Sequence, residues 1–192
     1  VGVDNIVKKR MNAHGSIGGG YSNEVCSNFS TIAGGESNAV TTGAHGTVAG
    51  GCSNTVTGAC GAVAGGTCHT ASGSYSSIPG GFKNTAAGDY SVVGGRCNQA
   101  TAAGDYAGVV AGGSNTASGL SSFVGAGTDN TASGNCGSVA VGGMSNTASG
   151  LSSFVGGGCG HDASQAGSAI VGGYCNCASC KGTFVGGGFN NR

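Results

Sequence analysis

Ten cysteines and four histidines offer most of the chemistry in this 192-residue chain. Cys175, Cys177 and Cys180 form the run CNCASC, and His161 follows Cys159 by two residues. Thiolates and imidazoles at such spacing suit tetrahedral zinc, but a structural site of that kind draws on a second C-x-x-C or equivalent pair. None is written here, so the reading is no metal and no cofactor. Disulfides fit the pattern better. Cys52 and Cys68 lie 16 residues apart, and so do Cys159 and Cys175. With Cys177 and Cys180 they are the disulfide candidates, and cysteine used in this way implies an oxidising compartment.

Catalytic groups are harder to assemble. His14, His45, His69 and His161 are scattered and stand in no nucleophile motif. Asp89 and Asp105 both occur in the tripeptide GDY, which reads as a repeated corner rather than an acid and base pair. The chain is accordingly expected not to be an enzyme. Seven basic residues balance seven acidic ones, so no nucleic-acid partner is expected. The only basic cluster, Lys8, Lys9 and Arg10, reads as a solvated lead-in. No run of 18 apolar residues occurs, so no membrane-spanning helix is expected.

Positioning falls to a repeat. The segment SNTASGLSSFVG from Ser114 to Gly125 recurs letter for letter from Ser145 to Gly156. Forty-four glycines fall at regular spacing, mostly in pairs. With the first glycine of each pair as marker, eleven intervals run from Gly19 to Gly186. Their mean of about 15 residues is the length of one turn of a β-solenoid. The sequence therefore predicts an all-β fold: a parallel β-solenoid of about twelve coils, each with two short strands. Residues 1–14 read as a lead-in or cap and residues 15–192 as one solenoid domain that the C-terminus interrupts.

In the first strand an inward Val or Ala, such as Val56, Ala71 or Ala117, is flanked by outward hydroxyls. The outward rows are Thr55 and Thr57, Thr70 and Ser72, Thr116 and Ser118, Thr131 and Ser133, and Thr147 and Ser149. These form the candidate binding face. In the second strand the residue two before each marker is read as inward: Ile32, Val48, Val63, Ile78, Val92, Val110, Phe123, Ala140, Phe154, Ile170 and Phe184. Its outward neighbours Val124, Val141, Val155, Val171 and Val185 then form an apolar face that a copy of the chain would cover. Asn four after most markers reads as a structural ladder at a corner. Tyr21, Phe82, Tyr174 and Phe189 follow the glycine pairs and read as a packing row, with glycan stacking as the alternative.

The pattern SxxSxVxGG followed by xxNxAxG resembles the head repeats of YadA-like trimeric autotransporter adhesins. The closest local match is Ser138 to Gly142, with Asn146, Ala148 and Gly150 at the family offsets. The resemblance covers about Gly15 to Asn191. It implies a left-handed β-roll, a trimer and a surface that binds host matrix or cells. Similar repeats occur in surface fibres. The expected function is thus a noncatalytic, extracellular or surface-exposed structural and adhesive protein. Its expected partners are copies of itself and a glycan, matrix or cell-surface ligand. The alternative is ice binding, because Thr-x-Thr and Thr-x-Ser rows on coils of this length resemble insect antifreeze solenoids.

Overall fold

A computed structural model describes residues 2–7 and 14–192; the Lys8, Lys9 and Arg10 cluster lies outside the described residues. The described chain is all-β, with parallel strands in stacked coils, a β-solenoid. One 12-stranded parallel sheet runs from Ile6–Val7 to Cys177–Ala178, and a second from Ser16–Ile17 to Phe184–Val185. We call them the polar sheet and the apolar sheet after their outer faces. A third side is held by single bridges, one per coil, from Tyr21↔Glu36 to Tyr174↔Phe189. Residues 2–7 already belong to this stack, since Val7 pairs with Val25 and Asn5 begins the asparagine row. The solenoid thus starts within the segment expected to be a lead-in.

Each coil is too small to hold a core of its own. It contributes one Val or Ala from the polar sheet and one small apolar residue from the apolar sheet, all buried. Ordering one residue's backbone costs about 1 to 2 kcal/mol, which two such side chains cannot offset within a single coil. Stacking supplies the rest, as in other solenoids. The buried residues form one run from Val25 to Ala140 and a second from Ala148 to Ala178. The division falls beside the coil whose two core residues, Ala132 and Ala140, are both alanine.

The feature that keeps every coil in phase is a glycine with positive φ, from Gly20 (φ 93) to Gly188 (φ 105). Counted from these twelve glycines, Asn or His stands three residues later in every coil, from Asn23 to Asn191. The polar-sheet core residue stands five later in each coil that has one, from Val25 to Ala178. This corrects the sequence phase in the apolar sheet. Val92, Val110, Phe123, Phe154 and Phe184, expected inward, are exposed; Val93, Val109, Val124 and Val155 are fully buried in their place. Val185 packs against the end of the core. The cause is the run of glycine-like residues after each strand. In FVGAG and FVGGG the conformational glycines are Gly127, Gly158 and Gly188, two residues after the marker rather than one. In a strand a one-residue shift turns every side chain to the other face.

The asparagine row is a ladder inside the stack. Asn115 Nδ2 donates to the Ala111 carbonyl (3.2 Å) in its own coil and to the Gly127 carbonyl (2.9 Å) in the next. Its Oδ1 accepts the Asn130 N–H (2.9 Å), and its own N–H donates to Asn98 Oδ1 (2.8 Å). These asparagines do not take the left-handed backbone angles themselves. The residue before each one does, as Ser114 (φ 57), Cys68 (φ 59), Lys83 (φ 57) and Asp129 (φ 56) show. That strain is offset because the corner N–H groups bond back to the preceding coil, for example Ser114 N–H to the Arg96 carbonyl (3.0 Å).

Two substitutions separate what the ladder and the close approach of coils demand. Asn115→Ala strands the Asn130 N–H and takes one of two donors from the Ala111 and Gly127 carbonyls, and is expected to cost about 2 kcal/mol in urea unfolding. A Cβ at Gly119 would run into the Gly134 carbonyl oxygen, whereas at Gly65 it meets nothing within 4 Å. Gly119→Ala should therefore lose roughly 3 kcal/mol or fail to fold, and Gly65→Ala should keep the wild-type urea midpoint.

Candidate binding faces

The polar sheet places all ten expected hydroxyl residues on one outer face. Thr55, Thr70 and Thr85 are in direct register, and Thr116, Thr131 and Thr147 continue the row after Gln99. Asp162 and Cys177 take the last two places. The partners Thr57, Ser118 and Ser133 are half-buried, and Ser72 and Ser149 are exposed. Thr42 Oγ1 bonds within the chain, to the Thr57 carbonyl at 2.9 Å. The row hydroxyls from Thr55 to Thr147 make no such bond among the described residues and are free to meet an external partner.

The apolar sheet presents a different surface. Val141 and Val171 are outward and nearly half exposed, as expected of an oligomer face, whereas Val124 and Val155 belong to the core. The outward places in those coils are taken by Phe123 and Phe154, 38% and 37% exposed. Each ring leans over a glycine of its own coil: a Cβ on Gly125 would stand 3.5 Å from Phe123 Cε1, and one on Gly156 3.3 Å from Phe154 Cε1. The face is consequently level as well as apolar.

The corners carry the remaining candidates. Cys52 lies in the bridge row opposite Thr67, while Cys68 occupies the neighbouring left-handed corner and donates its N–H to the Cys52 carbonyl (2.9 Å). Cys159 and Cys175 repeat the arrangement, with an N–H to carbonyl bond of 2.8 Å. No disulfide joins these cysteines among the described residues, and Cys26 Sγ donates to Glu24 Oε1 (3.1 Å). Cys175, Cys177 and Cys180 fall in three different rows: a left-handed corner, the polar sheet and the following turn. Asp89 and Asp105 are backbone acceptors, for the N–H groups of Ser74 (2.7 Å) and Asp89 (3.0 Å).

Tyr21, Phe82, Tyr174 and Phe189 stand in the bridge row, exposed, with Tyr174 and Phe189 stacked at 5.5 Å. Sequence reasoning missed a second aromatic row. Tyr75, Tyr90 and Tyr106 stack at 5.0 Å with interplanar angles of 2° and 3°, and Phe29 stacks between His14 and His45. The signal was the 15- and 16-residue spacing of the tyrosines. Rings stacked face to face present edges and hydroxyls outward, a poor platform for a sugar face.

Two histidines replace asparagine inside the ladder. His69 Nδ1 accepts the Asn84 N–H and His161 Nδ1 accepts the Asn176 N–H, both at 3.1 Å. The Nε2 atoms, which stand where Asn would donate twice, have no partner. Burial lowers the pKa of His69 below the ordinary 6.5, with the Gly81 and Asn84 backbone opposing. The unfolded chain then takes up a proton at His69 before the folded one does. Stability from this group is complete above about pH 6.5 and falls as pH drops toward the lowered folded value. His69→Asn should restore the missing donor, raise the urea midpoint and flatten its decline as pH falls below about 6.5 relative to wild type.

No protein-family model matches the chain, and no curated protein matches it. The faces just described therefore carry the functional reading on their own.

Proposed function

We propose that this chain is a noncatalytic extracellular structural and adhesive protein, a stiff solenoid that assembles with copies of itself and presents its hydroxyl face to a glycan, matrix or cell surface. One observation carries the reading: two outer faces of different chemistry run along the same rod, one lined by unengaged hydroxyls and the other apolar from Val92 onward. The apolar face favours burial against another protein surface. The hydroxyl face favours many weak contacts at coil spacing, which add by multivalency. The resemblance to trimeric adhesin heads points the same way, toward a trimer or a fibre outside the cell. Paired cysteines in neighbouring coils support an oxidising location.

Sedimentation of the purified chain, with and without reductant, is expected to give a mass above the 17.9 kDa of one chain. A monomer under both conditions would end the assembly reading. Peptide mapping after air oxidation is expected to recover Cys52 joined to Cys68 and Cys159 joined to Cys175; scrambled pairing would remove the support from cysteine.

Ice binding is the second reading, favoured by the in-register threonine row with free hydroxyls. It predicts thermal hysteresis that Thr131→Lys abolishes. Freezing-point depression no greater than that of a solute at millimolar protein would dismiss it.

A further inference from the structure

The duplication that opens the repeat spans two coils, although one coil is the structural unit. Its reason lies on the outer face of the apolar sheet. Phe123 and Gly125 share a coil, as do Phe154 and Gly156, while in the coils after them the second outward position is Val141 and Val171. At that second position glycine and valine alternate without a break from Gly94 to Gly186. Where the first outward position is large the second is glycine, and where the second is valine the first is smaller than phenylalanine. The core inside does not need this period, because the same coils bury Val124, Ala140, Val155 and Ile170 in no such order.

We propose that a second copy of this chain covers this face, the two solenoids lying parallel and in register about a two-fold axis along their length. The proposal rests on the self-assembly reading above and replaces its trimer with a pair. Such an axis sets the first outward position of each copy opposite the second position of the other. Phe123 then faces Gly125 of the second copy and Phe154 faces Gly156; because each ring lies over the glycine of its own coil, the two rings meet flat, with no Cβ beneath either to lift them apart. Ala169 faces Val171 by the same rule. Sliding one copy by one coil would set rings against the projecting valines instead of against rings that lie flat. A slide of two coils, about 9.6 Å, restores the match.

Orientation follows from the other half of the sheet. There the outward residues are small or hydroxylic, Thr31, Thr47, Ala62 and Ser77, so a parallel pair lays the Phe and Val half on itself while covering the whole face, which an antiparallel pair does not. No charged residue occupies an outward position of this sheet from Ser16 to Gly186. Nothing therefore repels a second copy. Twelve strands about 4.8 Å apart and about three residues wide present roughly 600 Å². A pair would bury about 1,200 Å², the lower end of stable specific interfaces.

The test compares the full chain with Val141→Lys/Val171→Lys and with Thr131→Lys on the polar sheet, by sedimentation under reducing conditions. Wild type and Thr131→Lys are expected at twice the chain mass, and the double variant at one chain mass with association at least 100-fold weaker. Both valines point to solvent, so circular dichroism and the urea midpoint of the double variant should stay near wild type. A photo-crosslinker at Phe154 of the otherwise unchanged chain gives a second readout, expected to capture the Phe154 coil of the other copy. A trimer, an assembly that survives the double lysine variant, or crosslinks to a coil an odd number of turns away would overturn the pairing and leave self-assembly standing. A wild-type monomer would overturn both.

Discussion

The constraint on which this molecule depends is that the backbone of each coil finds its hydrogen-bond partners in the coils above and below. A parallel ladder of this kind tolerates no change of rise between neighbours. The corner is where that demand is hardest to meet, because the chain turns and its carbonyls point inward. Asparagine meets it from inside: its amide nitrogen serves a carbonyl in its own coil and one in the next, and its oxygen takes the next corner N–H. Histidine, with a single donor, still accepts the next corner N–H but leaves its own Nε2 unpaired, as His69 and His161 show. The repetition of sequence is therefore a hydrogen-bond requirement before it is anything else.

Because the interior holds only two apolar side chains per coil, half of every strand faces outward. Those outward places are free of the packing rules inside, so their chemistry is set by what lies outside. One sheet uses them for hydroxyls in register, the other for valine and phenylalanine over glycine. The corner and bridge rows hold the stacked rings and, apart from Asp162 on the polar sheet, the clearly exposed charges such as Glu36, Lys83 and Arg96. Architecture and surface chemistry are written in alternate letters of the same strand.

The coil length, the two strands and the asparagine row were legible in the sequence because each recurs in one residue type at nearly fixed spacing. The polar sheet was legible for the same reason, since Val or Ala between hydroxyls admits one phase. The apolar sheet was misread in the coils with FVGAG, FVGGG, VVGG and VVAGG. In FVGAG, FVGGG and VVAGG several neighbouring glycines or alanines compete to be the one with positive φ, and the letters alone do not say which bends; in VVGG the glycine is the usual one, Gly95, but the coil has one residue fewer between it and the buried Val93. Valine also suits both faces of such a strand, so composition does not repair the error. The asparagine ladder was legible, but the residue that bends was not: the ladder needs the asparagine side chain inside and passes the left-handed angle to the preceding residue. The tyrosine stack was hidden because its members sit in GSY and GDY contexts that look like plain turns.

The double-alanine coil at Ala132 and Ala140, beside which the buried run divides, has a mechanical meaning. A rod whose interior is continuous unravels from its ends as one piece, whereas a rod with a thin coil has a place where cohesion across the axis is weakest. At that coil the side chains contribute least to cohesion, and the hydrogen-bond ladder, which runs through it unbroken on both sheets, is left to join the two parts of the interior.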